Sequence, residues 1–130
     1  MSTERKYRFY RGGTFVGTVS ITGVHQPYFC GHIDPAEGYV EIAPLLDRLA
    51  QNRRQRLSSD IAGISAEKRE ARNQLAKEHF EILQQFCGPG LRMMDAITGE
   101  LVHEPMDLEV DEKGFWWRGY IWANGTRLGP

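Results

Sequence analysis

Five side chains that could bind a metal or act as nucleophiles fall in two parts of the sequence. His25, Cys30 and His32 lie close together, whereas His79 and Cys87 follow much later. Thiolates and neutral imidazoles are ligands of zinc, and four of them close a tetrahedral site. The gap between Cys30 and His32 is shorter than the usual ligand spacing, and no second compact pair balances it. We therefore predict no metal site and interpret both residues as half-buried strand positions.

The same residues give little support to catalysis. A Cys/His nucleophile would combine Cys30 with His32 or His25, but nothing orders these groups in a hydrogen-bond chain. Cys87 falls at the end of a predicted helix, where the helix dipole disfavours a thiolate. No glycine-rich phosphate loop occurs, and no cofactor is predicted. An enzyme or small-molecule-binding protein remains the alternative, with a pocket between sheet and helices lined by Cys30, His32, Tyr39 and His79.

The last predicted strand carries the most specific signal, a run of aromatic side chains around one arginine. If helices cover the face of Phe115 and Trp117, the opposite face presents three large aromatic side chains and the arginine. Tryptophan, tyrosine and arginine are enriched at interface hot spots. Three interpretations stay open: a homodimer face, a platform for a ligand or a stacked base, or coverage by the chain termini. The first predicts an interface of Trp116, Arg118, Tyr120 and Trp122.

The net charge of −1 conceals two blocks of opposite sign. Residues 48–77 carry +5 and residues 78–113 carry −7. Complementary patches of this kind register a partner or a second protomer, or join a helix to a sheet within one chain. Acidic residues interrupt the basic block, so a solvated helix face is the default and nucleic acid is disfavoured as a partner. A second alternative function is that of a nucleic-acid-binding accessory protein that uses the basic segment of residues 48–72. The candidate anion contacts in this block are Arg53, Arg54, Arg56, Arg69 and Arg72.

The first half of the chain predicts strands followed by a helix. Residues 6–21 read as a hairpin and residues 28–33 as a third strand, because polar and apolar residues alternate. Asp34 has the character of a helix N-cap, which predicts a helix that is kinked at Pro44. The alternative is a short strand over residues 39–42, with the helix beginning at Pro44.

A second helix follows, capped by Ser65 and ending at about Phe86. Serine at this position accepts a hydrogen bond from the first helical turn, and a Gly-Pro-Gly stop follows the helix. The polar residues 51–64 before the cap form either a frayed helix end or a loop.

The last third returns to strands. Residues 91–97 are expected to pair with residues 101–103 across a short turn. Asp107, Glu109 and Asp111 alternate with apolar residues and are interpreted as the water-facing side of a strand.

These elements predict a single α+β domain over residues 1–130. An antiparallel sheet of about five to six strands, in the order strands, two helices, strands, would carry the helices on one face. Two cysteines suit a reducing cytoplasm, and no apolar run is long enough to span a membrane. The stretch 90–118 resembles small bacterial proteins of unassigned function, which implies no activity. We expect a non-catalytic accessory protein that works through protein–protein contact, as a homodimer.

Overall fold

The computed structural model describes residues 5–59 and 65–128, and within these ranges the chain forms seven strands and two α-helices. The strands before the helices are β1 (Lys6–Arg11), β2 (Thr14–His25) and β3 (Tyr28–Pro35), followed by a short 3-10 helix (Glu37–Glu41). The helices are α1 (Ala43–Ser59) and α2 (Ala66–Cys87). The remaining strands are β4 (Leu91–Asp95), β5 (Leu101–Asp111), β6 (Gly114–Ala123) and β7 (Thr126–Leu128).

The sheet closes on itself as a six-stranded antiparallel barrel, with β7 as an extra strand beside β6. β1 joins the two halves by pairing with β2 and β4, and β3 closes the barrel by pairing with β6. In the closing pair, residues 29–31 lie opposite residues 115–117. The predicted α+β fold is therefore wrong, since the sheet is closed and the helices do not pack on one of its faces.

Irregular pairings allow the strands to bend around the barrel. The register shifts between β1 and β2, β2 and β3, β4 and β5, and β5 and β6. Such bulges increase local twist and bend a strand. Gly31 is required where the closing strand passes its neighbours, because a Cβ there would overlap the carbonyl oxygen of Ser20 and lie 3.2 Å from Trp117. The bulges and the glycine at position 31 thus permit closure of the barrel.

The predicted strand pairs are confirmed on both sides of the helices. β1 and β2 form the expected hairpin, and β3 covers the predicted third strand. Across the later turn Met93 pairs with His103 and Met94 with Leu101. The predicted strand of residues 101–103 and the acidic strand after it are one continuous element, β5.

The helix predicted from Asp34 does not begin there. Asp34 and Pro35 belong to the end of β3 and pair with Thr18 and Gly17, so strand pairing outweighs the capping signal. Residues 37–41 form a 3-10 helix instead of the predicted helical turns or the alternative strand. The α-helix begins at Ala43, which places Pro44 in the first turn, where its missing N–H costs little.

The predicted boundary between the helices is partly confirmed. Residues 51–59 continue α1, and residues 60–64 lie outside the described residues. The Ser65 side chain accepts a hydrogen bond of 3.1 Å from the backbone N–H of Lys68, as predicted, and α2 extends to Cys87.

The two helices pack against each other and contact β5 without lying across a face of the sheet. Their buried side chains include Leu45, Leu49, Ile82 and Phe86, and these belong to the same hydrophobic cluster as Trp117 of β6. Burial of such side chains contributes about 1.5–3 kcal/mol each, so helices and barrel are stabilised together. Neither described helix is sufficiently long and apolar to cross a membrane.

Candidate functional site

Glu109, on β5, lies in a cluster of charged side chains instead of facing water. Its side chain is 10% exposed and accepts hydrogen bonds from Arg56 Nη2 at 2.6 and 2.9 Å and from Arg53 Nη1 at 3.0 Å. His79 and Asp107 complete this group, and together the five residues form the charged cluster. The prediction of a water-facing acidic strand is wrong at Glu109, because α1 covers this part of β5.

His79 brings α2 into the charged cluster. Its Nε2 atom is 3.2 Å from Glu109 Oε1 and 3.6 Å from Asp107 Oδ1. The buried Asn52 positions Arg56 by accepting a 2.7 Å hydrogen bond from its Nε, and donates to the Leu75 carbonyl at 3.0 Å. These contacts tie both helices to β5 by hydrogen bonds that involve charged groups, which are stronger than neutral ones.

Asp107 connects the charged cluster with β3 and β6. Its Oδ2 atom accepts hydrogen bonds from the Tyr28 hydroxyl at 2.8 Å and from Arg118 Nε at 2.9 Å. Burial raises the pKa of Asp107, but hydrogen bonds from His79 and Tyr28 and the charge of Arg118 outweigh it and set the pKa at about 2. Burial, followed by the bond to Asp107, raises the pKa of Tyr28. Asp107 is therefore a fixed anion at neutral pH.

Beside Asp107 the surface opens into a groove of about 980 Å³. The groove lies between the β2–β3 turn and strands β5 and β6. Its apolar lining comes from Val24, Pro27, Phe29, Met106 and Ile121, and its polar lining from Gln26, Asp107, Arg118 and Tyr120; Gly119, in the middle of β6, also lines it. Val24 and Met106 are more than half exposed. We refer to this feature as the β5–β6 groove.

Strand pairing explains why the groove lies at this position. β3 pairs with residues 115–117 of β6, and β7 pairs with residues 121–123. Among the described residues, residues 118–120 therefore lie between these two stretches and pair with neither β3 nor β7. The register shift in β5 falls opposite, between Pro105 and Asp107, and turns Met106 outward as an exposed side chain. Bulges commonly redirect a side chain in this way.

Arg118 presents donors to the groove. Its Nε is bound to Asp107, and its guanidinium lies 5.4 Å from the centre of the Tyr28 ring. Within the described part of the chain, Arg118 Nη1 and Nη2 have no hydrogen-bond partner, and the side chain is 50% exposed. Tyr120 lines the groove further along β6, and the guanidinium of Arg127 lies 4.4 Å from its ring centre.

The four predicted interface residues lie on the strand as expected, since Phe115 and Trp117 of the opposite face are buried. Contacts within the chain partly cover them. The Trp116 ring packs at 5.3 Å from His25, and Trp122 Nε1 donates a hydrogen bond to Glu104. Tyr120 lies against Arg127, and Arg118 binds Asp107.

The structure does not bring the four predicted pocket residues together. His32 and Tyr39 line one shallow hollow of about 220 Å³. Cys30 is buried on β3 opposite Trp116, and His79 belongs to the charged cluster. Burial raises the pKa of Cys87 to about 11, which disfavours the thiolate form of this side chain.

The five predicted anion contacts divide into two groups. Arg53 and Arg56 bind Glu109, so an internal carboxylate already neutralises part of their charge. Arg54, Arg69 and Arg72 are exposed on the helices. Among residues 5–59 and 65–128, no group of three or more His, Cys, Asp or Glu side chains has the arrangement of a metal site.

His103 is a buried titratable group inside the barrel. Its ring packs against Tyr7, Phe29 and Trp117 at centroid distances of 5.1, 4.7 and 5.7 Å. Burial lowers its pKa from 6.5 to about 4. The neutral form is therefore favoured in the folded protein because the charged form would lose its hydration.

We expect His103 to make the protein sensitive to acid. The unfolded chain binds this proton at about pH 6.5 and the folded protein only at about pH 4, so stability falls as the pH is lowered through this window. The loss amounts to about 3 kcal/mol and is complete below pH 4. Urea unfolding at several pH values should give a flatter stability curve for His103→Phe than for wild type between pH 6.5 and 4. Parallel curves would contradict this role.

Sequence reasoning did not identify three contributors to these sites, Tyr28, His103 and Met106. Alternation along β5 places His103 on the same face as Leu101, which could have indicated its burial. The opposed charge blocks could have pointed to contacts between α1 and Glu109. No local signal in the sequence predicts that Met106 is exposed, because its exposure depends on the register shift between β5 and β6.

Compared with protein-family models, with curated proteins and with solved structures, the chain matches none of them.

Proposed function

We propose that this chain is a non-catalytic binding protein whose β5–β6 groove holds a small apolar ligand. The observation that carries the proposal is that one groove combines an apolar wall with the fixed polar group formed by Arg118, Asp107 and Tyr28. Ligand sites typically have this composition, and a volume of about 980 Å³ is at the upper end of their usual range of about 300–1,000 Å³.

The chemistry of the groove favours binding over catalysis. A general base is most effective when its pKa lies near the working pH. The pKa of Asp107 is about 2, and its oxygens already contact Tyr28, His79 and Arg118. Such a carboxylate is a weak base and serves to hold Arg118 in place.

A homodimer through the aromatic face of β6 remains a prediction, and the contacts of that face favour the ligand platform. Trp122 is bound to Glu104, and Arg127 covers Tyr120. The structure makes a nucleic-acid partner less favoured than the sequence alone does, because Arg53 and Arg56 bind Glu109.

The groove is tested by nuclear magnetic resonance with a library of small apolar fragments. We expect binding fragments to shift the backbone amide signals of groove residues such as Phe29 and Ile121. Met106→Trp should weaken this binding at least tenfold, because the indole fills the groove beside its apolar wall. Met106 is 55% exposed, so the larger side chain is tolerated by the fold.

Ile97→Trp is the matched control, since Ile97 is 95% exposed on the β4–β5 turn and lines a different hollow. It should leave fragment binding unchanged. The proposal is wrong if fragments perturb only other surfaces, or if diluting the protein alone shifts the groove signals, which would indicate self-association there.

A further inference from the structure

We infer that the ligand of the β5–β6 groove is an apolar carboxylate, whose carboxylate group is bound by Arg118. This inference rests on the proposed function and adds the chemical class of the ligand. Two features carry it: the donors that Arg118 leaves open, and the apolar wall beside them.

Arg118 is held in a fixed position with donors to spare. Asp107 binds Nε, and the Tyr28 ring lies beneath the guanidinium at 5.4 Å. Two contacts of this kind restrict the side chain before any ligand arrives, so less conformational entropy is lost on binding. Among the described residues, Nη1 and Nη2 have no acceptor. A planar guanidinium edge with two donor groups fits a carboxylate in bidentate geometry.

The charges of the groove favour an anion over a cation. Asp107 is the negative group of its lining, and Tyr28, His79 and Arg118 already contact its oxygens. An entering cation would meet a carboxylate whose oxygens are already bound, whereas an anion would meet the open donors of Arg118.

The remaining lining selects for a molecule with an apolar body. Val24, Pro27, Phe29 and Ile121 offer hydrocarbon and ring surface with no further charge. A multiply charged anion would leave charges unpaired against this wall, which is costly. A single carboxylate on a hydrocarbon chain or ring satisfies both halves of the groove.

The test compares octanoate with octan-1-ol, which share a chain length and differ in charge. Calorimetric titration at pH 7 and low salt should show octanoate binding at least tenfold more tightly, a difference of about 1.4 kcal/mol. Added salt at 0.5 M should weaken octanoate binding and leave octanol unchanged. Arg118→Met should remove the preference, and Arg118→Lys should keep part of it. Arg54→Met removes an exposed arginine of α1 and should change nothing.

The outcomes separate the two proposals. Equal binding of octanol and octanoate at the groove signals would overturn the carboxylate inference and leave the binding function intact. Loss of octanoate binding in Arg54→Met would show that the carboxylate binds on α1, and it would also overturn the carboxylate inference. If neither compound nor any fragment shifts the groove signals, both proposals fail. The salt and alcohol comparisons use the wild-type protein, so they hold even if Arg118→Met does not fold.

Discussion

Replacing Trp117 with alanine is expected to lower the free energy of unfolding by about 3–5 kcal/mol. The side chain is 1% exposed and stacks between Phe29 of β3 and Phe115 of β6, with His103 meeting it edge-on. It is therefore packed between the strands that close the barrel, where collapse around a cavity is difficult. Urea unfolding monitored by circular dichroism measures the loss, which is large for a domain with a typical total stability of about 5–15 kcal/mol.

Trp117→Phe is the informative control. Within the described residues, the buried Nε1 of Trp117 has no hydrogen-bond partner, so its removal gives up no hydrogen bond. Phenylalanine keeps much of the stacking and should cost clearly less than alanine. A loss below about 1 kcal/mol in Trp117→Ala would contradict a central place for this residue in the core.

Glu109→Ala should be the next most damaging change, with a loss of about 3 kcal/mol. The reason is that Arg53 and Arg56 would keep their positive charges in a half-buried place without their carboxylate. Both arginines are a quarter to a third exposed, so the loss falls at the low end of the values for fully buried pairs. Chemical unfolding at neutral pH measures it.

A double-mutant cycle with Arg56→Met assigns this loss to the ion pair. We expect a coupling of at least about 1 kcal/mol between the two sites. Glu112→Ala, at an exposed acidic residue in the turn after β5, should change stability by less than about 0.5 kcal/mol. Strictly additive effects of the two substitutions would show that the contact between Arg56 and Glu109 does not stabilise the fold.

Local signals in the sequence predicted local structure well. Alternation identified the hairpin of β1 and β2, and Ser65 identified the start of α2, because both depend on neighbouring residues. The same kind of signal failed at Asp34. Asp34 is a good N-cap residue and is followed by proline, but it pairs with Thr18 of β2 and no helix begins there. This pairing is a tertiary contact, which local propensity does not predict.

Closure of the barrel could not be predicted from the sequence, for a related reason. The pattern of Phe115 and Trp117 specifies one buried face, and an open sheet under helices satisfies it as well as a barrel does. The choice depends on whether residues 29–31 reach residues 115–117, and that depends on bulges and on Gly31. Neither the bulges nor the long-range contact can be predicted from the alternation of polar and apolar residues along the strands.

The candidate site was predicted in part. Arg118 and Tyr120 were named from the aromatic strand, and both line the groove, although an interface was the first interpretation. The charge blocks were recognised, and one of the open explanations was a match between helix and sheet, which is how Arg53 and Arg56 meet Glu109. The groove itself required the relative positions of β3, β7 and the β5 bulge, which no single segment encodes.

The contact between β3 and β6 also has a consequence for how the chain folds. Most neighbours in the sheet are hairpin partners, and their pairing needs only short loops. The closing pair, like the pair of β1 with β4, instead joins the first third of the chain to the last, with both helices in between, so its loop-closure entropy is much larger. High contact order of this kind slows folding. The barrel should therefore close late, after the hairpins and helices have formed, with Trp117 reaching its place at that step.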